Sequence, residues 1–223
     1  MVSRPNILYL HSHDTGRYVQ PYGHAVSTPN MQRLATEGVL FRHCCCCSPT
    51  CSPSRAALLT GTYPHSNGMT GLAHRGWRLT DYRQHILHTL RRIGYTSALF
   101  GTQHIVDQHQ IHKIGYDLAL PGGSAQERTQ AAISFLAEAP SQPFFVSLGY
   151  QETHRPFYAA QPMKGGAAED ERYASPPAIL PDTADTRQDM TEFNASVRIL
   201  DDCYGQVLQA LDNAGLADNT VVL

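Results

Sequence analysis

No stretch of the 223 residues is apolar for long enough to cross a bilayer as a helix, so no membrane partner is expected. Met1 to Pro5 lead directly into an apolar run without the zones of a secretion signal. The expected address is therefore cytoplasmic, or periplasmic or secreted if a leader has been lost. Excess charge is missing too: 17 Lys+Arg stand against 19 Asp+Glu, a formal net charge of -2. That excludes a nucleic-acid partner recruited by overall field, and an anionic ligand would have to be met by local groups. Paired C-x-x-C motifs of the zinc type, with a matching partner pair, are absent as well. Of six cysteines, four form the run Cys44 to Cys47, poor geometry for a bridged framework. These four are expected to be reduced and buried as small hydrophobes in or beside a strand, with metal binding as the alternative.

With 42% hydrophobic residues the chain can bury a core and reads as one soluble domain, or most of one. Asn6 to Leu10 is an apolar run of strand length that breaks at the polar His11-Ser12-His13-Asp14-Thr15-Gly16. Thr28 is placed to cap a helix opened by Pro29 and stopped by Gly38, and Val39 to Phe41 begin a strand-like run. Ser52-Pro53 signals another helix start, running to Gly61 and leaving Cys51 at its N-terminus. Thr80 is expected to cap a helix carrying Ile86, Leu87, Leu90 and Ile93, followed by a strand from Thr96 to Phe100. A helix near Gln126 to Glu138 precedes a strand from Phe144 to Leu148. Residues 158–185 lack periodicity and read as a long surface loop or insertion. A last helix, about Met190 to Asn213, gives way to a strand from Thr220 to Leu223.

Strands alternating with helices predict an α/β fold, a largely parallel sheet flanked by helices, with sites at the carboxyl ends of strands. His13-Asp14, Gln103-His104 and Glu152-His154 all follow predicted strands. Any one of them alone is more commonly a cap or surface residue; their shared position singles them out. A helix N-terminus offers unpaired N–H groups and the positive end of a dipole, so position 51 suits an anion or an activated nucleophile. Arg55, one turn on, can add a planar cationic fork.

Cys51-Ser52-Pro53-Ser54-Arg55 followed by Leu58 and Thr60-Gly61 resembles the signature of the sulfatase family, in which the cysteine is oxidised to formylglycine. The resemblance extends through Thr28-Pro29-Asn30, His65, Asn67-Gly68-Met69, Gly71-Leu72, His154-Arg155-Pro156 and Leu200-Asp201-Asp202, covering nearly the whole chain. It implies an alkaline phosphatase-like fold, with residues 1–223 as the N-terminal part of a catalytic domain truncated at its C-terminus. It further implies a divalent cation, usually calcium, held by Asp14 and by position 51, and a maturation enzyme that generates the formylglycine. Carried over position by position, Cys51, Arg55, His104 and His154 match catalytic residues, and His13 and Glu152 face the substrate.

Three positions depart from the pattern. His13 stands where the first of two aspartates is usual, and imidazole is a poor ligand for a hard cation. Thr102 replaces a lysine that contacts sulfate, and Glu152 stands where aspartate is common. Cys51 to Arg55 together with His65-x-Asn67-Gly68-Met69-x-Gly71-Leu72 look most like the heparan N-sulfatase branch, which points to a sulfated carbohydrate substrate. Two other readings stay open: a phosphodiesterase or phosphonate hydrolase of the same fold, or a truncated relative that binds without turnover.

Overall fold

The computed structural model describes residues 4–138, 143–157 and 171–223. Among them the chain divides into two compact units. The first holds the residues up to His11, His43–Gly149 and Val207–Leu223; the second holds Ser12–Arg42 and Tyr150–Gln206.

The first unit is built on a sheet of five parallel strands: β1 (Asn6–His11), β2 (Thr96–Gly101), β3 (Leu118–Leu120), β4 (Phe144–Gly149) and β5 (Thr220–Val222). Their spatial order is β3-β2-β4-β1-β5. Every residue of β4 is buried, as expected of a central strand whose two faces are both covered. The register sets Tyr9 of β1 against Ser147 of β4, and His11 against Gly149. On one face Ile7, Tyr9 and Phe145 join a core with Ala56, Leu87 and Tyr95. On the other, α5 (Ala125–Ala137) packs on β2 and β4, and Phe135 meets Phe100 and Phe144 with ring centroids 5.8 and 5.5 Å apart. Ser124 and Glu127 close its first turn with a reciprocal capping box. The helices α2 (Cys51–Thr60), α3 (Pro64–Asn67) and α4 (Ile86–Arg92) complete this unit, together with the end of α6 (Ala184–Asn213) from Val207 onward.

The second unit contains α1 (Pro29–Glu37) and the earlier turns of α6. Its core is Val19, Val26, Phe193 and Val197, with Met31, Phe157 and Met190 packed against them.

The α/β fold and parallel sheet agree with the sequence; several local expectations do not. Val39 to Phe41 form no strand: Val39 is 76% and Phe41 67% exposed, in a segment with no strand partner. Cys44 to Cys47 are exposed, not buried, because the irregular chain there offers no sheet to bury them. They border a cavity of about 570 Å³ together with Leu58 and Tyr63. Thr50, not Ser52, is the N-cap of α2, and the Ser52 hydroxyl accepts from the Ala73 N–H at 3.0 Å instead. Asp81 caps a short 3-10 turn and His85 caps α4, in place of Thr80. Leu87 and Leu90 are buried in α4, whereas Ile86 and Ile93 are exposed. Thr28 precedes α1, but its hydroxyl serves the Gln20 N–H; the helix is capped across space by the Asp201 carboxylate, which accepts from the Asn30 and Met31 N–H groups at 3.1 and 2.8 Å. Helix α6 begins at Ala184, six residues before the expected start at Met190, because the pattern of apolar residues begins later than the helix does. Of the expected excursion over residues 158–185, residues 158–170 lie outside the described residues. Strand β3 was not foreseen.

Candidate active site

In the first unit, Cys51 is the first residue of α2 and is half-buried. Thr50 enters the helix in an extended conformation, φ -133° and ψ 141°, and its carbonyl accepts the Ser54 N–H at 3.0 Å. The N–H groups of the first turn have no carbonyl partner within the helix, so position 51 lies where backbone donors and the dipole favour negative charge. Ser52 is fully buried, and its bond to Ala73 ties the helix start to the following loop. Arg55 places Nη1 2.6 Å from Nδ1 of His11, and the other ring nitrogen of His11 lies 3.1 Å from the Ser147 hydroxyl.

His104 follows β2 with a left-handed backbone, φ 59°, uncommon for a residue with a side chain and a frequent mark of functional sites. The preceding Gln103 accounts for this turn. Its buried amide accepts the Ile105 and Val106 N–H groups at 2.6 and 3.0 Å and donates to the Val106 carbonyl at 2.7 Å. The His104 ring stacks on that of His74, 5.3 Å between centroids and 8° from parallel, with Nε2 3.1 Å from His74 Nδ1. One of the two nitrogens must donate and the other accept, so each ring selects the tautomer of its neighbour. Thr102 lies between β2 and His104, and its N–H donates to the Gly149 carbonyl at 3.0 Å.

In the second unit, His13 and the segment from Glu152 to His154 are stitched together by backbone bonds. His13 N–H donates to the Glu152 carbonyl at 2.9 Å, and Thr153 N–H to the His13 carbonyl at 2.8 Å. Thr153 adds its hydroxyl to the same carbonyl at 2.9 Å and meets the Thr15 hydroxyl at 3.2 Å. His13 is buried, with its ring edge-on to that of His154 at 5.7 Å. Asp14 has φ 55°, and its exposed carboxylate lies 3.8 Å from His154 Nε2, an ion pair only when that ring is protonated. Glu152 is half-buried, and among the described residues its Oε2 has no hydrogen-bond partner.

The predicted residues therefore form two groups: Cys51, Arg55 and His104 in one unit, and His13, Asp14, Glu152 and His154 in the other. Sequence reasoning missed His11, Ser147 and His74. The signal for His11 was available, since it falls two residues after Tyr9 and period two puts both on one face of a strand. Nothing local marks Ser147 or His74, whose partners lie far along the chain.

The sulfatase family model matches residues 5–223. Human N-acetylgalactosamine-6-sulfatase is 30% identical over 277 aligned positions, covering 98% of this chain and 48% of the relative. Human N-sulphoglucosamine sulphohydrolase is 28% identical, covering 99% of this chain and 50% of the relative. The crystal structure of Ps i-CgsB in complex with k-i-k-neocarrahexaose superposes with a TM-score of 0.75 at 25% identity, covering 99% of this chain and 57% of that one. The chain thus spans about half the length of the curated relatives it matches.

Proposed function

This chain belongs to the sulfatase family, and we propose that the protein it comes from hydrolyses a sulfate ester or N-sulfate of a sulfated sugar at Cys51. The observation that carries the reading is the place of Cys51 at the opening of α2, with Arg55 one turn along. The names of the two human relatives, both enzymes of sulfated amino sugars, support the substrate class.

Converted to formylglycine, position 51 supplies a hydrated aldehyde, one hydroxyl of which displaces the sugar from sulfur while the other allows sulfate to leave. The remaining work falls to the chain's own side chains. Arg55 sets a fixed positive charge beside the incoming sulfate and keeps it, since guanidinium does not deprotonate. His104, its tautomer coupled to that of His74, can take or return a proton at the nucleophile. His154 can donate a proton to the departing sugar oxygen or nitrogen. Glu152 and His13 would face the sugar.

The residues present do not by themselves fit a calcium ion. Asp14 is a hard, accessible carboxylate, but His13 occupies the place of a second one, and calcium takes about six to eight oxygen ligands. No step above is routed through a metal.

Mass spectrometry of the tryptic peptide from His43 to Arg55 tests the reading, after expression with a maturation enzyme. The expected result is aldehyde at position 51 and unmodified thiol at Cys44 to Cys47, with Cys51→Ala abolishing release of sulfate. Full sulfatase activity in Cys51→Ala would overturn it. An assay of a sulfated glucosamine beside a p-nitrophenyl phosphate diester separates the sulfatase from the phosphodiesterase alternative.

A further inference from the structure

We propose that His11 is a positioning residue: its imidazole, fixed as the Nε2–H tautomer, offers the Nδ1 lone pair to Arg55 and sets the direction of that guanidinium. The proposal rests on the reading of Cys51 and Arg55 as reactive machinery.

His11 ends β1 and is only 7% exposed. Its ring is confined on several sides. Tyr9 stacks on it at 4.5 Å and 21°. Gly149 lies opposite in the register, and a Cβ built there would fall 2.5 Å from His11 Cε1, so the ring occupies space that only glycine leaves. Ser147, one pleat back on β4, holds Nε2 at 3.1 Å, and Arg55 Nη1 lies 2.6 Å from Nδ1.

The chemistry of the donors assigns the protons. Guanidinium has five N–H donors and no acceptor, so Nδ1 must accept. A ring that accepts at Nδ1 carries its proton on Nε2, and that proton goes to the Ser147 oxygen. Imidazolium would set an N–H against an N–H at 2.6 Å, next to a second positive charge, and is incompatible with the contact. Tyr9 does not compete for the guanidinium as an anion: burial pushes its phenol up, and the Arg55 cation pulls only partly back.

The choice of histidine has a further consequence. A carboxylate at the same place would orient Arg55 equally well but would cancel its charge, and an anionic sulfate would meet a neutral pair. A neutral imidazole orients the fork and leaves the charge for the substrate.

The test uses the full-length protein. His11→Leu, similar in volume but without an acceptor, is expected to lower kcat/KM by about 10- to 100-fold. His11→Asn, whose Oδ1 stands where Nδ1 does, should recover most of that loss. In an Arg55→Ala background His11→Leu should have no further effect. A readout independent of turnover is ¹⁵N NMR of labelled histidine in the Cys51→Ala protein, where His11 should be neutral with its proton on Nε2 at pH 7, and Arg55→Ala should shift its Nδ1 resonance. A proton on Nδ1, an imidazolium, or an Nδ1 signal indifferent to Arg55→Ala overturns the proposal, even if His11→Leu does not fold. Full activity in a folded His11→Leu protein does so too. Because the NMR assignment needs no sulfate release, it stands or falls separately from the sulfatase reading.

Discussion

Gly149 ends β4 with the backbone of Thr102 packed closely against it. A Cβ there would lie 1.8 Å from the Thr102 carbonyl oxygen as well as against the ring of His11, and the first of these neighbours is backbone and cannot swing aside. Gly149→Ala is therefore expected to destabilise the fold by about 3 kcal/mol or more, at the upper end of overpacking costs, and to displace Thr102 and His104 with it. Chemical denaturation checks the first, and a midpoint within experimental error of the parent would refute it. This requirement was invisible in the sequence, where Gly149 is one glycine after an apolar run and Thr102 lies 47 residues earlier. Cys51 and Arg55, by contrast, were legible because their relation is local: helical spacing alone puts them one turn apart. His104 and His154 were placed after strands by the same local patterns. Their pairings with His74 and Asp14 emerge only in three dimensions.

At the scale of elements, helix α4 shows a cap with a built-in pH dependence. His85 is fully buried, and its Nδ1 accepts the Leu87 N–H at 3.1 Å, so the ring must be neutral to do its work. Burial pushes its pKa from 6.5 down to about 3, and the charge of His88 adds to the effect. Above pH 6.5 the ring is neutral in the folded and the unfolded chain, and its full contribution is present. Between pH 6.5 and about 3 only the unfolded chain takes up the proton, so stability falls as the pH falls. The slope is about 1.4 kcal/mol per pH unit for one proton. Denaturation measured across this range should show the slope reduced by one proton in His85→Asn, which keeps an acceptor for Leu87 but does not titrate; parallel curves for the two proteins would contradict the assignment. Caps were the weakest part of the reading from sequence, for a physical reason. A side chain suited to cap can be claimed elsewhere, as the Thr28 hydroxyl is by Gln20, and the group that does the capping can come from 171 residues along, as Asp201 does for α1.

For the whole molecule, the alternation of strands and helices was enough to predict a parallel α/β sheet, but neither the order β3-β2-β4-β1-β5 nor the three-residue β3 could be read from it. Strand order is decided by non-local pairing, and three residues are too few to carry a period. Ligand supply is a property of this scale as well. Residues 1–223 bring one firm carboxylate, Asp14, among the positions matched to the metal site, so calorimetry is expected to find weak or no calcium binding by this chain. A tight isotherm would mean that His13 and its neighbours satisfy the ion better than their chemistry suggests. The sheet order bears also on how the protein is born. β1 leaves the ribosome before the other four described strands, yet Asn6 meets the start of β4 138 residues later and β5 214 residues later. At about 5–20 residues per second, the wait for β4 alone is on the order of ten seconds. Throughout that time an apolar segment destined to lie between β4 and β5 has both edges open, so the newborn chain needs a holding chaperone most before β4 has been synthesised.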